Sequence, residues 1–566
     1  MFTRDKGVSK AAVALAVALI VALAVLAYQS VSIQRRPSVV YPAKLEAAWA
    51  TPPLIDRDWL IERGLYDRAY SWRGFVKGSV VASHSGDLVA VTTHKGEVYV
   101  YSGDGKLLRK LSFELGEVPV AAAFSPDDRY LAVGLSSKKG ELRVYDTSTW
   151  SLAWSYDASG DLLGESNATE ATIVKKPYLG NRVHFVAFDE AGRMYLAASS
   201  RIIDPAKQRP IYKKLTIDLM KIYPELKQAY PGLPSYTVSV WASAYASRVV
   251  AVDVGSWSIA WRWPKQGVAR SFIPMIDVDA EGRYLALCTW GAHDPYEPYE
   301  WHGGIVTVLD AKSGEALWRW DVPPRVPVFN RTYIWNGIGI TDDGKYVIVE
   351  PSDGRVFAID NLGSCKLKKP VFKWTATIMT PVEADVLLIP KKGGEYSVIK
   401  AYIYAGTYFA GIVGGKVAPY ASATYSAYWS PRFERKPLNQ HPNQTKLFLL
   451  DLETGELLFV DRFLGKPMYG KVVPFAVKDG LLIGAIGNDW TSSDASMAGV
   501  YVYDVERLER VARFLTVEGG YGVPIDVAAA GDKIYVLTAP IDLATSPKGP
   551  ANIVGEYRLV ALTFKG

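Results

Sequence analysis

One unit recurs along this chain: an apolar strand, a tight turn built on Asp or Gly, a second apolar strand, and a later strand that ends in aspartate. The clearest copy runs from Val120 to Trp154, with its first turn at Asp128 and its terminal aspartate at Asp146. A unit of this size cannot bury both faces of its sheet alone, so successive copies must stack on one another. The pattern predicts one repeated all-β domain.

The number of units follows from the tight turns that lie between apolar strands. Eight turns fit the pattern, which predicts eight units, with seven as the alternative; they lie at Gly86, Asp128, Gly192, Gly282, Gly344, Asp385, Gly480 and Asp532. Aspartate also ends a strand at Asp253, Asp310, Asp360, Asp451 and Asp504. A carboxylate in that position accepts the backbone N–H groups that follow it, so these aspartates are predicted to close turns.

Two of these units resemble known repeat families. The copy from Val120 to Trp154 resembles a WD-repeat blade, and the aromatic strands Ile259–Trp263 and Ala316–Trp320 resemble the ending of pyrroloquinoline-quinone-type (PQQ-like) propeller repeats. The resemblance implies a single β-propeller, which we place over residues 74–566. The last blade, 526–564, shows only three strands, so we expect a strand near Phe75–Val81 to complete it and close the ring.

Three excursions interrupt the period. Residues 202–240 carry Leu215, Leu219, Ile222 and Leu226 at helical spacing, which predicts an amphipathic helix. Residues 395–444 are rich in tyrosine and are interpreted as an aromatic insertion. Residues 290–303 combine aromatic rings, carboxylates and imidazoles, and they form the candidate binding site: Trp290, His293, Asp294, Tyr296, Glu297, Tyr299, Glu300, Trp301 and His302. These side chains suit a divalent cation or a sugar ring, but their spacing matches no metal motif, and a surface loop packed on the adjacent blade is the alternative.

The N-terminal residues predict a membrane anchor. An uncharged run from Ala11 to Tyr28 follows Arg4, Lys6 and Lys10, so residues 1–28 are read as a basic tip and one transmembrane helix that leaves the rest outside, with 29–73 as a tether. A cleaved secretory signal is the alternative. The stretch around Gly7 and Val8 resembles the class III signal of archaeal pilins, which implies processing after Gly7; pilins often carry glutamate where this chain has Ala12.

Charge and cysteine content narrow the partners. The 64 basic and 58 acidic residues are spread along the chain without a basic stripe, which argues against nucleic acid as a partner. Cys288 and Cys365 either form a disulfide or remain two thiols, and the apolar strand around Cys288 favours thiols. Three glycosylation sequons, at Asn167, Asn330 and Asn443, fall in predicted loops and agree with an outside location.

These observations lead to a functional hypothesis. We predict a membrane-anchored, extracellular scaffold that binds a protein or glycan at the cell surface, without catalytic residues, cofactor or metal. Two alternatives stay open: an extracellular quinone- or metal-dependent enzyme, and a pilin-like filament or surface-layer component. The PQQ-like resemblance implies a vicinal disulfide or an equivalent platform in such enzymes, and this chain has no adjacent cysteines. The oligomeric state does not follow from the sequence.

Overall fold

The computed structural model describes residues 42–63, 78–222, 224, 226–229, 231, 236–242, 244–290, 304–323, 334, 337–351, 354–378, 386–390, 396–400, 403–425, 446–462, 475–486, 498–540 and 555–565. The predicted anchor and processing site, residues 1–28 with Gly7 and Val8, lie outside these ranges. No helix within the described ranges is both long and apolar enough to cross a membrane.

Strands are the main secondary structure of the described residues. The order of elements begins with β1 (Leu45–Ala50) and α1 (Arg57–Glu62). Blade 1 follows as β2 (Gly78–Ala82), β3 (Leu88–Thr93), β4 (Glu97–Ser102) and β5 (Leu107–Ser112). Blade 2 contains β6 (Val118–Phe124), β7 (Tyr130–Ser137), β8 (Glu141–Asp146) and β9 (Leu152–Asp157), and it is followed by a 3₁₀ turn (Ser159–Asp161), α2 (Glu170–Lys175) and a second 3₁₀ turn (Pro177–Leu179).

Blade 3 opens with β10 (Asn181–Phe188) and β11 (Arg193–Arg201). Next comes an inserted segment with β12 (Ile203–Asp204), β13 (Arg209–Pro210), β14 (Lys213–Asp218), α3 (Leu219–Ile222), α4 (Leu226–Ala229) and β15 (Thr237–Ala242), and the blade ends with β16 (Tyr245–Asp253) and β17 (Ser258–Trp263). Blade 4 is β18 (Met275–Val278), β19 (Tyr284–Cys288), β20 (Ile305–Asp310) and β21 (Ala316–Asp321). Blade 5 is β22 (Ile338–Ile340), β23 (Tyr346–Val349), β24 (Arg355–Asp360), α5 (Asn361–Leu367) and β25 (Phe372–Thr377).

A separate hairpin, β26 (Val386–Pro390) and β27 (Tyr396–Lys400), precedes blade 6, which is β28 (Ile403–Val413), β29 (Lys416–Tyr425), β30 (Lys446–Asp451) and β31 (Leu457–Arg462). Blade 7 is β32 (Phe475–Lys478), β33 (Leu481–Ile486), β34 (Gly499–Asp504) and β35 (Glu509–Leu515). Blade 8 takes β36 (Val523–Ala530), β37 (Lys533–Ala539) and β38 (Arg558–Phe564) from the C-terminal end, and its outermost strand is β1.

Within the described residues the strands form eight four-stranded blades in a closed ring, and blades 2 and 3 are joined into one sheet by the pairing of β7 with β10. The first strand of each blade contacts the first strand of the next, and β36 of blade 8 contacts β2 of blade 1, which returns the ring to its start. Apolar clusters of fully buried Val, Leu, Ile and Ala fill the spaces between neighbouring sheets. This arrangement confirms the predicted β-propeller class, and the structure contains eight blades.

The strand that completes the last blade was assigned wrongly from the sequence. Strand β1 pairs antiparallel with β38, with Leu45 opposite Phe564, whereas Gly78–Ala82 is the innermost strand of blade 1. The stretch read as a tether, 29–73, therefore contributes one strand to the propeller, and the compact unit begins at Ala43. Hydrophobic alternation identifies a strand but does not show which strand it pairs with, so the sequence pattern could not distinguish β1 from Gly78–Ala82 as the partner of β38.

Two of the predicted excursions also differ from the structure. Residues 403–425, inside the region interpreted as an aromatic insertion (395–444), form the two inner strands of blade 6, and the tight turn between them is Gly414-Gly415 rather than Asp385, which lies outside the described residues. The amphipathic helix expected across Leu215–Leu226 is limited to two short helices, because Leu215 lies in β14 and pairs with Val240. The pairing of β14 with β15 in a hairpin therefore outweighs the helical spacing of the apolar residues in this segment.

The strand-ending aspartates do close turns, as predicted. The Asp146 carboxylate accepts the Ser148 N–H at 3.0 Å, and the Asp451 carboxylate accepts the Thr454 N–H at 2.8 Å. The Asp360 carboxylate accepts the Gly363 N–H at 3.0 Å and caps α5. Hydrogen bonds from the Ser148 and Thr454 hydroxyls, together with these backbone N–H groups, lower the pKa of Asp146 and Asp451. The aspartates are structural.

Candidate functional site

The topology gathers the long connections at one end of the propeller. Successive strands in each blade are antiparallel, so the turns after strands one and three lie at one end, and the connections after strands two and four lie at the other. The first set is mostly short, as at Gly192 and Gly282, with the α5 connection of blade 5 as the exception. The second set includes the segments 202–244, 289–304 and 426–445. We call this end the loop-bearing face, and we expect function there because connections vary freely on a rigid scaffold.

Trp290 is the one member of the predicted site that lies within the described residues. It follows Cys288 at the end of β19, on the loop-bearing face, and its backbone N–H donates to the Phe272 carbonyl at 2.8 Å. Its ring meets Tyr245 edge-on at 6.1 Å between centroids. The other eight predicted residues, His293 to His302, lie outside the described residues.

Trp290 belongs to a cluster of aromatic rings and arginines between blades 3 and 4. Phe272 lies 5.9 Å from Tyr245 and 4.9 Å from His184, centroid to centroid. The Arg182 guanidinium covers the Phe272 ring at 4.7 Å, and the Arg201 guanidinium covers the Tyr245 ring at 5.1 Å. We call these side chains the aromatic–arginine cluster: Arg182, His184, Arg201, Tyr245, Phe272 and Trp290.

Burial shapes the electrostatics of this cluster. Desolvation lowers the pKa of Arg182 to about 10, and desolvation together with the Arg182 charge lowers the pKa of His184 to about 3. His184 is therefore neutral. Its Nε2 lies 2.7 Å from the Ile273 carbonyl and its Nδ1 lies 3.3 Å from the Ser199 hydroxyl, so both ring nitrogens are engaged within the protein. His184 orients the cluster and is not available as a metal ligand.

Sequence reasoning missed five of the six members of this cluster. Arg182 and Arg201 sit at strand ends in blade 3, Tyr245 begins β16, and Phe272 precedes β18, so nothing in their local pattern brings them together. The one feature that these residues share in the sequence is that each lies at or next to a strand end on the same side of the propeller. This feature can be recognised only when the strand order and the loop-bearing face are known.

Two buried carboxylates on innermost strands join neighbouring blades. Asp277 on β18 accepts the Ile340 N–H of blade 5 at 2.8 Å, and burial raises the pKa of Asp277 to about 7. Asp526 on β36 accepts the Val80 N–H at 2.8 Å and the Ser79 hydroxyl at 2.9 Å, across the junction where blade 8 meets blade 1. These contacts hold the ring closed and give both residues a structural role.

Glu350 differs from these aspartates. It is fully buried at the end of β23 on the loop-bearing face, and neither carboxylate oxygen has a hydrogen-bond partner among the described residues. Burial alone raises the pKa of Glu350 well above its ordinary value, so the side chain is held protonated. Across the described ranges, no group of three or more His, Cys, Asp or Glu side chains is placed to hold a metal ion.

The remaining predicted positions are placed as follows. Asn167 is exposed on the connection after blade 2, and the hydroxyl of its sequon partner Thr169 accepts the Thr172 N–H and caps α2. Asn330 and Asn443 lie outside the described residues. Cys288 is buried in β19 and Cys365 is half-buried in α5; both are free thiols, so the disulfide alternative is not realised. Burial raises the pKa of both thiols.

Comparison with known proteins supports the fold and goes no further. No family model matches the chain, and no curated protein matches it. Among solved structures, BamB from Moraxella catarrhalis aligns with 10% identity over 86% of this chain and 96% of its own, with a TM-score of 0.41. Quinohemoprotein alcohol dehydrogenase from Comamonas testosteroni aligns with 11% identity over 92% of this chain and 76% of its own, with a TM-score of 0.50. The second likeness shows that this chain shares the β-propeller fold.

Proposed function

We propose that this chain is a binding scaffold at the outer surface of the cell membrane, held there by residues 1–28, and that its loop-bearing face binds a protein partner. The observation that carries the proposal is the coincidence of two features at one end of a rigid ring. The long connections begin and end there, and the aromatic–arginine cluster includes Trp290, the residue at which the 290–303 segment starts.

The composition of the cluster fits a protein interface. Tryptophan, tyrosine and arginine dominate the binding energy of protein interfaces, because they offer large contact area together with a polar group. Trp290 and Arg201 are partly exposed, and Tyr212, which accepts a hydrogen bond from Arg201 at 3.0 Å, is 47% exposed. A partner that covers the 202–244 and 289–304 connections would contact all three side chains.

The membrane location rests on the sequence of the N-terminal segment. The apolar run Ala11–Tyr28 is long enough to span a bilayer, and the basic residues before it favour an inside N-terminus. The propeller would then face outward, where Asn167 is exposed and can carry a glycan. A protein held in this way presents its loop-bearing connections at the cell surface.

The test uses the full-length chain cross-linked mildly in its native membranes, followed by mass spectrometry of attached partners. Trp290→Ala combined with Tyr212→Ala should reduce recovery of the partner by about tenfold or more, because interface hot spots contribute about 2 kcal/mol or more each. Arg507→Ala is the matched control, since Arg507 is an exposed side chain in a turn at the opposite end of the ring. Equal recovery from the double variant and the control would refute binding through this face.

The same preparation tests the location and the enzymatic alternative. We expect the mature chain to start at Val8 and Asn167 to carry a glycan. A chain that starts at Met1 and carries no glycan would contradict the outside location. Stoichiometric metal, or visible absorbance from a quinone, would replace the scaffold hypothesis with the quinone- or metal-dependent enzyme.

A further inference from the structure

Three of the eight blade junctions in the described part of the chain share one packing device on the outer rim. A tryptophan on the outermost strand of one blade lies flat on a glycine in the last turn of the next blade. A Cβ at Gly314 would lie 2.6 Å from the Trp261 ring, and a Cβ at Gly455 would lie 2.6 Å from the Trp374 ring. Trp49 covers Gly105 in the same way where blade 8 meets blade 1. The indole N–H of Trp261 donates to the Ala311 carbonyl at 2.9 Å, which fixes the ring.

The junction between blades 2 and 3 has a tryptophan in place of this glycine. Trp154 has the position of the packing tryptophan, since it lies opposite Val144 as Trp261 lies opposite Ala251. The residue four positions after Asp253 is Trp257, whereas the residue four positions after Asp310 is Gly314. Trp257 adopts φ +50°, a left-handed conformation that costs about 1–3 kcal/mol for a bulky side chain. The same left-handed conformation occurs at Trp150 (φ +58°) and Leu508 (φ +57°), at the corresponding turn positions of blades 2 and 7.

The larger residue keeps the junction open. Trp154 stacks on the Trp257 ring at 5.7 Å with 19° between the planes, and Trp154 stacks beside Tyr156 at 6.2 Å. The result is a groove of about 640 Å³ on the outer rim. We call it the rim groove, and its principal lining residues are Trp154, Tyr156, Trp257, Ile259, Asp161 and Arg262. A groove of this size suits a small ligand or one residue of a chain.

A charged network forms the floor of the rim groove. The buried Asp161 carboxylate accepts the Tyr156 hydroxyl at 2.7 Å, Arg248 Nη1 at 3.0 Å and Arg262 Nε at 2.7 Å. Arg248 is fully engaged, because its Nη2 also donates to the Pro264 and Lys265 carbonyls. Two guanidinium groups against one carboxylate leave one positive charge at the floor. Asp157, at the edge, lies 3.8 Å from Lys139.

Arg262 is the part of this network that faces a ligand. Its side chain is 38% exposed, and only its Nε takes part in hydrogen bonds within the described residues. The two terminal nitrogens of the guanidinium therefore have no protein acceptor there. Asp161 holds the guanidinium in place. A planar guanidinium fixed in this way can donate two parallel hydrogen bonds to one carboxylate of a ligand.

We propose that the rim groove binds an acidic sugar, a pyranose ring that carries a carboxylate, within a polysaccharide chain. The ring would lie against the Trp154 and Trp257 indoles and its carboxylate would pair with Arg262. The apolar C–H face of a pyranose suits a flat indole surface, and the surplus positive charge selects an acidic sugar over a neutral one. Because the groove opens sideways on the rim, the neighbouring sugars of the chain can pass on either side. This site is separate from the loop-bearing face.

The first test measures binding of tetragalacturonate to the full-length protein by isothermal titration calorimetry, with the neutral tetrasaccharide cellotetraose and the aromatic acid benzoate as comparison ligands. We expect only tetragalacturonate to bind. Arg262→Met should weaken binding by about 10- to 100-fold, because a charge-assisted hydrogen-bonded pair is lost. Arg319→Met is the matched control, since Arg319 follows Trp318 on blade 4 as Arg262 follows Trp261, and it should bind like the wild type.

The second test closes the rim groove. Trp257→Gly restores the residue found at Gly314 and Gly455, so Trp154 should settle onto the new glycine and fill the space. We expect this variant to remain folded by circular dichroism, to unfold at an unchanged or higher urea concentration, and to lose tetragalacturonate binding. Wild-type binding by Trp257→Gly, no binding by the wild-type protein, or equal binding of cellotetraose or benzoate would overturn the proposal. None of these results depends on the partner of the loop-bearing face.

Discussion

Replacing Gly314 with alanine tests how the blades are held together at the rim. Gly314 has φ +71°, and an added Cβ would lie 2.6 Å from the buried Trp261 ring. A Cβ in the left-handed region costs about 1–2 kcal/mol, and loss of glycine freedom in the unfolded chain returns about 0.4–1 kcal/mol. Displacing a packed ring adds about 1–3 kcal/mol. We therefore expect Gly314→Ala to destabilise the protein by about 2–4 kcal/mol.

Gly480→Ala is the matched control for this experiment. Gly480 has φ +76°, close to that of Gly314, but no atom of the described residues lies within 4 Å of the position that its Cβ would take. Only the backbone cost applies, so we expect a loss of about 1 kcal/mol. The free energy of unfolding is measured by urea titration, followed by circular dichroism. The difference between the two variants isolates the contact with the ring.

The same measurement in a Trp261→Ala background completes the test. Once the ring is removed, Gly314→Ala should cost no more than Gly480→Ala, because only the backbone penalty is left. Two results would refute the reasoning: variants that differ by less than about 0.5 kcal/mol, which is the limit of additivity, or a Gly314→Ala cost that persists without the ring.

Three further predictions concern buried polar groups. Asp526→Ala removes the acceptor for Val80 and Ser79 and should lower the free energy of unfolding, measured in urea, by about 2–5 kcal/mol. Asp253→Ala, in an exposed turn, is the control and should lower it by less. Similar losses in both variants would argue against a special role of Asp526 at the ring junction. The raised pKa of Glu350 means that the folded protein keeps a proton which the unfolded chain releases, so stability should fall as pH rises above about 4.5. Glu350→Gln should flatten that slope and stabilise the protein at the alkaline end, and an unchanged slope would contradict the assignment. The buried Cys288 thiol should resist iodoacetamide in the folded protein and react in urea, and rapid labelling of the native protein would show that the strand opens.

Much of the blade architecture was readable from local pattern. Seven of the eight predicted turns lie between the first and second strands of a blade, and the aspartates at Asp146 and Asp451 form the predicted hydrogen bonds. These features depend on residues within a few positions of each other: a left-handed turn needs Gly or Asp, and a strand-ending carboxylate needs only the next two or three N–H groups. The sequence alone therefore determined the repeat, its all-β character and its propeller class.

Other features required the tertiary structure because their partners are distant in the chain. Strand β1 pairs with β38, which lies at the other end of the sequence, and no local signal distinguishes it from Gly78–Ala82 as the closing strand. The aromatic–arginine cluster joins residues from three strand ends and two connections. The rim groove depends on which residue of blade 3 faces Trp154, a comparison that is possible only after the blades are superposed. The sequence determined each blade, because the hydrophobic period and the turn residues of a blade are local. The closed ring decided the contacts between blades, because those contacts join surfaces from distant parts of the chain.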